Sequence, residues 1–376
     1  MNDHDDDGIP TIAWTARAVT VEWRGGEAAE FASLWLRDNR PQDRDPHSGQ
    51  RLIDVCDLPP APRITAVSVL ADHLLVEWEG ESAGARFAFA WLRAHAPGAP
   101  PRPELRRAPW LEGATLDAAR DFAWLGFAAL DADAAARGAW LERLLRDGIA
   151  FCSGVPATEA GILQAMSRVG RVATTNYGEV FDVRAVPSPE NLAYSDLGLG
   201  LHTDNPYREP VPGFQALHVL HASPDGGSSL FADGFAIAAH LRATDPATFA
   251  LLAATPVPFL YRSADAQLYA ERPLIQLRCD GAIAAVHYNN RSIAPLRLAA
   301  GPAEAFYGAY RAFAELLREP RFQLGFTMRA GVLVLFDNQR ILHGRTAFRS
   351  AGHARHLRGC YLTRDSVHSR AAQARP

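Results

Sequence analysis

The strongest chemical signal in this sequence is Leu201-His202-Thr203-Asp204-Asn205, answered far downstream by Leu342-His343-Gly344-Arg345. Two imidazoles and one carboxylate on one face of a metal leave three positions open. That arrangement suits non-haem iron(II), where a bidentate cosubstrate and then dioxygen must share the ion. The i, i+2 spacing of His202 and Asp204 predicts an extended segment that sends both side chains to one side. His-x-Asp alone is unspecific, since His4-Asp5-Asp6 in the acidic N-terminus also satisfies it. What sets His202 apart is its company. Arg355 opens the run Arg355-His356-Leu357-Arg358-Gly359-Cys360-Tyr361, which reads as a strand. A guanidinium there suits a bidentate pair with the distal carboxylate of 2-oxoglutarate. A period of two puts Tyr361 on the same side as Arg355, so clamp and ring would both face the metal.

A mostly β scaffold must position these groups. The first hundred residues carry short apolar runs at Ala18–Trp23, Ile64–Leu70 and Leu74–Trp78, separated by turn signals. The Pro- and Arg-rich stretch Ala96–Pro109 reads as a linker. An apolar stripe of Trp140, Leu141, Leu144 and Leu145 predicts a helix over Ala134–Arg146, followed by a strand at Ile149–Cys152 and a helix over Glu159–Val169. Further on, β runs at Gln215–Leu220, Leu274–Leu277, Ala284–Tyr288, Gly331–Phe336 and His356–Leu362 alternate with helical intervals at Phe235–Arg242, Pro246–Ala254 and Ala303–Leu317. The pattern predicts a mainly β protein with inserted helices. It divides into a small β-rich N-terminal domain (1–100), a linker and approach segment (101–130), and a sandwich or jelly-roll catalytic domain (131–376). No internal repeat stands out.

Composition excludes much else. The sequence contains no lysine, which removes Schiff-base chemistry and every P-loop or kinase lysine. A formal charge of −4 gives no electrostatic reason to expect nucleic acid or an anionic membrane. Cys56, Cys152, Cys279 and Cys360 are scattered, as in a reducing compartment, and no signal-peptide core or membrane-length apolar run is evident. A cytoplasmic protein is the expectation.

Across nearly its whole length the sequence resembles the γ-butyrobetaine and trimethyllysine dioxygenase group, within the taurine-dioxygenase-like superfamily. The matching segments include Trp35-Leu36-Arg37-Asp38-Asn39, Asn176-Tyr177-Gly178, Asn191-Leu192-Ala193-Tyr194 and His202–Pro212. They continue through Gly226-Gly227-Ser228-Ser229, Asp233-Gly234-Phe235, Tyr288-Asn289-Asn290, Phe336-Asp337-Asn338, Leu342–Arg345 and Arg355–Tyr361. The resemblance implies a double-stranded β-helix core with His202, Asp204 and His343 on Fe(II). It implies Arg355 as the 2-oxoglutarate clamp, with Ser229 and Asn191 lining the same pocket, and a homodimer. It also implies an aromatic cage for a trimethylammonium group at Tyr177, Phe181, Tyr194 and Tyr361, because ring faces hold a diffuse cation.

Three departures matter. Phe181 stands where relatives carry Trp, and Asn205 where some carry Tyr. Relatives hold a structural zinc through three cysteines after the Trp-Leu-Arg-Asp-Asn segment, whereas this sequence reads Arg40-Pro41-Gln42-Asp43-Arg44-Asp45. Those residues cannot form a closed zinc set, so no zinc is expected there, and salt bridges and packing would have to hold the loop. The expected reaction is hydroxylation of a small quaternary-ammonium compound with 2-oxoglutarate and O2, γ-butyrobetaine to L-carnitine first. Trimethyllysine and a trimethylamino phosphonate stay open as substrates. From other classes, a non-catalytic small-molecule-binding β-sandwich and a zinc hydrolase stay open too.

Overall fold

The computed structural model describes residues 9–98, 107–110, 116–184, 197–223, 226–348 and 355–374, and all that follows concerns those residues. The chain divides into two compact units, Met1–Pro101 and Arg102–Pro376.

The first unit holds two antiparallel sheets of three strands. One is β1 (Thr11–Trp14), β2 (Ala18–Glu22) and β3 (Ala28–Ala32), and the other is β4 (Ile64–Val69), β5 (His73–Trp78) and β6 (Ala85–Ala88). Alternate residues turn inward, with Val19 and Val21 buried on β2 and Leu74, Val76 and Trp78 on β5. Each sheet runs into a short helix, Ser33–Asp38 after β3 and Phe89–Ala94 after β6. An internal repeat that the sequence reading missed emerges at these two corners. Phe31-Ala32-Ser33-Leu34-Trp35-Leu36-Arg37 and Phe87-Ala88-Phe89-Ala90-Trp91-Leu92-Arg93 share Phe, Ala, Trp, Leu and Arg in register. Seven residues are too few to register as a repeat until the fold aligns them. Phe31 packs on Trp35 at 5.2 Å, Phe87 on Trp91 at 5.9 Å, and the two indoles meet at 5.4 Å.

The loop after Asn39 carries an ion-pair network, the salt-bridge part of what was expected of it. The buried Arg37 contacts Asp43 at 2.6 Å and Glu81 at 2.7 Å, and Arg40 contacts the same two acids at 2.8 and 2.9 Å. The Arg40 hydrogen bond outweighs burial and holds the Asp43 carboxyl below the usual carboxylate range. Removing that carboxylate leaves two guanidiniums to share the single Glu81 carboxylate. Asp43→Ala is therefore expected to cost about 2 kcal/mol, less than a fully buried pair because water still reaches the network. Urea unfolding of the full chain, followed by tryptophan fluorescence, measures it. Because folding lowers this pKa, the contribution is complete above the ordinary carboxylate range and is lost as pH falls through the lowered value. The variant and the parent should therefore converge in acid.

The second unit contains β7 (Ala123–Gly126), β8 (Ile149–Ser153), β9 (Val172–Ala173), β10 (Phe181–Arg184), β11 (Leu199–His202), β12 (Phe214–His221) and β13 (Ser229–Asp233). Two hairpins follow, β14 (Val257–Arg262) with β15 (Gln267–Arg272), and β16 (Ile275–Leu277) with β17 (Ile283–Val286). The chain closes with β18 (Gln323–Phe326), β19 (Leu333–Asp337), β20 (Ile341–Arg345) and β21 (His356–Leu362). The larger sheet has the order β10-β21-β12-β19-β8-β7, with β9 beside β21, and the smaller has β11-β20-β13-β18. From β10 to β13 and from β18 to β21 successive strands alternate between the two sheets at every step. This is a mainly β unit of two sheets with helices inserted.

Strands β8 and β19 of the larger sheet are near-continuous apolar runs because both of their faces are covered. On β19, Leu333 and Leu335 join the cluster formed with Trp140, Leu141 and Leu144 of the helix Ala134–Asp147. Val334 and Phe336, one step out of phase, join Phe151, Val219 and Phe231 in a separate cluster. That helix begins on Asp133, whose carboxylate accepts from the Ala136 amide, and ends at Gly148, whose φ of 80° suits glycine. No helix among the described residues is long and apolar enough to cross a membrane.

Candidate metal and cosubstrate site

His202 is the last residue of β11, and it lies directly opposite His343 of β20 in the antiparallel register. Cross-strand neighbours approach within side-chain contact, so the two rings meet at a centroid distance of 4.3 Å. Asp204 adds its carboxylate, with Oδ1 3.2 Å from His202 Nε2 and Oδ2 3.8 Å from His343 Nε2. The three donor atoms lie within 4.8 Å of one another.

The extended segment expected across His202–Asp204 is only partly present, because the strand ends at His202. Other partners take over the backbone there. The Thr203 amide donates to the Tyr288 carbonyl at 2.7 Å, and the Asn289 side chain donates to the Thr203 carbonyl at 3.0 Å. Asn338, fully buried, accepts from the Asp204 amide at 2.8 Å and donates to the Asp204 carbonyl at 3.0 Å. The Tyr-Asn-Asn and Asp-Asn segments of the sequence thus serve to fix the carboxylate-bearing turn. Asn205 then adopts a left-handed φ of 55°, a conformation asparagine tolerates better than most residues.

The protonation states suit a cation. His202 Nδ1 lies 2.9 Å from the Gly200 carbonyl, which can only accept, so with a metal bound the proton would stay on Nδ1 and Nε2, which faces Asp204 here, would give its lone pair to the ion. Burial, then the neighbouring His202, pushes His343 down to about 3. Burial alone would raise the Asp204 carboxyl. The His202 hydrogen bond, the two imidazoles and the Tyr361 hydroxyl together hold it well below the usual range. Two imidazoles and an anionic carboxylate, converging on one point, are a fitting donor set for a divalent iron.

These ligands open into a cleft of about 770 Å³, its mouth included. Arg355, Ser229, Tyr177, Phe181, Asn205 and Tyr361 all line it. Arg355 stands just before β21 and Tyr361 within it, so the period-two expectation agrees with their common cleft. Arg355 is buried, its pKa pushed down to about 10 by desolvation and then by Arg345, and it has no carboxylate partner among the described residues. It therefore stays charged at neutral pH, as a receptor for an outside anion must. Tyr361 donates its hydroxyl to Asp204 Oδ2 at 2.8 Å. Phe181 packs 5.1 Å from Tyr361 and 6.3 Å from Tyr177. Asn191 and Tyr194 lie outside the described residues.

The cleft also contains residues to which the sequence reading gave no role. Gln215 faces it from β12, paired in register with Tyr361, and a lone glutamine in the apolar run Phe214–His221 was the available signal. Arg345 lines the cleft, within the quoted Leu342–Arg345 segment. Arg291 lines it too, directly after Tyr288-Asn289-Asn290. Tyr207 and Tyr261 form a second row behind the rings. They stack at 5.2 Å, with Tyr261 5.9 Å from Tyr177.

Residues 116–361 match the family described as taurine catabolism dioxygenase TauD, TfdA family. The chain is 35% identical to a γ-butyrobetaine dioxygenase of Pseudomonas sp. (strain AK-1), covering 96% of this chain and 95% of that protein. It is 32% identical to the dioxygenase str8 of Strobilurus tenacellus, over 91% of this chain and 84% of the relative. It is 27% identical to a trimethyllysine dioxygenase of Meyerozyma guilliermondii, over 97% and 95%. A likeness extending from end to end leaves no part of the site to a different architecture, and the chain belongs to the TauD/TfdA family of dioxygenases.

Proposed function

We propose that this protein is an Fe(II)- and 2-oxoglutarate-dependent hydroxylase of a small trimethylammonium compound, γ-butyrobetaine first, with L-carnitine as product. One observation carries the reading: the His202, Asp204 and His343 donors, the buried Arg355 and the rings of Tyr177, Phe181 and Tyr361 share a single cleft. The named relatives support the same substrate class. In this reading the two sheets are the double-stranded β-helix, and O2 is the oxidant. No zinc takes part, since Arg40–Asp45 offers no ligand set for it.

His202, Asp204 and His343 hold the iron in this scheme, and Arg355 grips the distal carboxylate of 2-oxoglutarate, with Ser229 donating support. Bound together, iron and 2-oxoglutarate supply oxidative decarboxylation, which makes dioxygen able to hydroxylate an unactivated C–H bond and leaves succinate and carbon dioxide. Tyr177, Phe181 and Tyr361 offer ring faces to the substrate cation, which has no hydrogen to donate. Asn191 and Tyr194 complete the pocket by resemblance. Apolar walls from Leu217, Phe231 and Leu357 limit water around the reacting carbon. Placement then decides which C–H bond lies nearest the metal.

Tyr361 carries two separable duties, a ring for the cation and a hydroxyl for Asp204. Tyr361→Phe keeps the ring and is expected to weaken iron binding about tenfold while leaving substrate affinity near its original value. Anaerobic iron titration against a chelator, alongside substrate titration at saturating iron, checks both halves.

The reading itself is tested by succinate release across γ-butyrobetaine, trimethyllysine, a trimethylaminoethyl phosphonate and taurine. A strong rise with γ-butyrobetaine, matched by a product one oxygen atom heavier, is expected. A rise with taurine alone would overturn the trimethylammonium assignment.

A further inference from the structure

Glycine inside a paired strand costs stability relative to alanine, so Gly359 needs a physical reason. It lies buried within β21, paired in register with Phe181 of β10 on one side and with Leu217 of β12 on the other. Its φ lies outside the left-handed region, so the backbone itself does not require glycine. The reason is space. A Cβ at position 359 would lie 2.4 Å from both Cε2 and Cζ of the Phe181 ring, and 3.1 Å from Leu217 Cδ2. The ring therefore lies across the glycine, on the floor of the cleft.

This seat fixes where the ring stands. Phe181 lines the cleft 5.1 Å from Tyr361 and 6.3 Å from Tyr177. Leu357 and Tyr361 are the next cleft-facing residues on either side of Gly359 along β21, and Leu217 faces the cleft across the sheet. The ring is thus fenced along the floor, and the direction left open to it is upward, into the space among the rings. Carbon atoms in ordinary contact stand about 3.5–4.0 Å apart, so one methyl group at position 359 would lift the ring by roughly 1 Å or more.

We propose that Gly359 is the positioning residue that sets the depth of the cation pocket: it holds Phe181 flat on β21 and so keeps room for three methyl groups on the substrate nitrogen. It acts through Phe181, whose ring covers it, and not by touching substrate. The inference rests on the trimethylammonium reading above and deepens it, since it makes headgroup size a property set from the floor of the cleft.

Two cycles of variants test it, each with Gly359→Ala made in the parent and in Phe181→Ala. The first reads stability by urea unfolding of the full chain, with no ligand present. Alanine at 359 should lower the unfolding midpoint where the ring is present and raise it where the ring is gone, because without the clash only the backbone preference for alanine is left. The second reads binding by anaerobic calorimetry on the Fe(II)- and 2-oxoglutarate-loaded protein, and compares γ-butyrobetaine with its dimethylamino analogue. In the parent, Gly359→Ala should weaken γ-butyrobetaine about tenfold or more, and the smaller headgroup by no more than about threefold. In Phe181→Ala the same change should move either ligand by less than about twofold. Unchanged γ-butyrobetaine affinity in Gly359→Ala, equal losses for the two headgroups, or the same loss with and without the ring would overturn the proposal. If Gly359→Ala alone does not fold, a folded double variant supports the seat and an unfolded one overturns it. A parent protein that binds 2-oxoglutarate but neither amine would overturn the trimethylammonium reading and the pocket depth with it. A stability cycle that still changes sign would then locate the failure in the substrate and not in the seat.

Discussion

Asp204→Ala is expected to abolish turnover and to lower iron affinity by more than about a hundredfold. Outer partners of metal ligands are commonly worth about ten- to hundredfold, and Asp204 is the only anion in the donor set. The carboxylate lies 3.2 and 3.8 Å from the two imidazoles, so its loss leaves two neutral ligands to hold a divalent ion. Anaerobic metal titration reads the affinity, and succinate release at saturating iron reads the turnover. Circular dichroism should stay that of the parent, since the turn is held through backbone bonds to Asn338 and Asn289 that the substitution leaves in place. Iron bound at parental affinity would mean that another set of ligands holds it.

Arg355→Ala should act on the cosubstrate alone. Truncating one partner of a desolvated charge pair costs about 2–5 kcal/mol, which corresponds to a rise of roughly thirtyfold or more in the 2-oxoglutarate KM. Iron affinity should not move. Arg355→Lys should fall between, because a point charge replaces a planar fork. The pH profile is part of the same expectation. With its pKa pushed down to about 10, Arg355 is charged across the neutral range, and its contribution to 2-oxoglutarate affinity is lost as pH rises through that value. Steady-state KM for 2-oxoglutarate, measured for the three proteins between neutral pH and the alkaline limit, provides the check.

Much of this site was legible before the fold was known, for identifiable reasons. His202, Asp204 and His343 are an unusual donor set, and Arg355 and Tyr361 follow the two-residue period of a strand that is present. The helix Ala134–Asp147 was visible because its apolar stripe recurs at helical spacing. What stayed hidden depends on contacts between distant segments. Nothing local in Asn338 predicts that it clamps the Asp204 backbone across 134 positions. Arg291 and Gln215 become site residues only when β12 and the loop after β17 reach the same cleft. The strand expected through Asp204 stopped at His202 because Tyr288, Asn289 and Asn338 compete for the backbone that a sheet partner would have used. The corner repeat at Trp35 and Trp91 likewise needed the two indoles in contact to be recognised.

The central claim is that this cleft couples 2-oxoglutarate decarboxylation to hydroxylation of a trimethylammonium substrate. Turnover of γ-butyrobetaine under heavy-oxygen-labelled dioxygen tests it most directly, with succinate and product counted together by mass spectrometry. The account predicts one succinate for each hydroxylated product, with one labelled oxygen atom in each. Succinate formed without labelled product, or no succinate from protein shown to bind iron and 2-oxoglutarate, would contradict it.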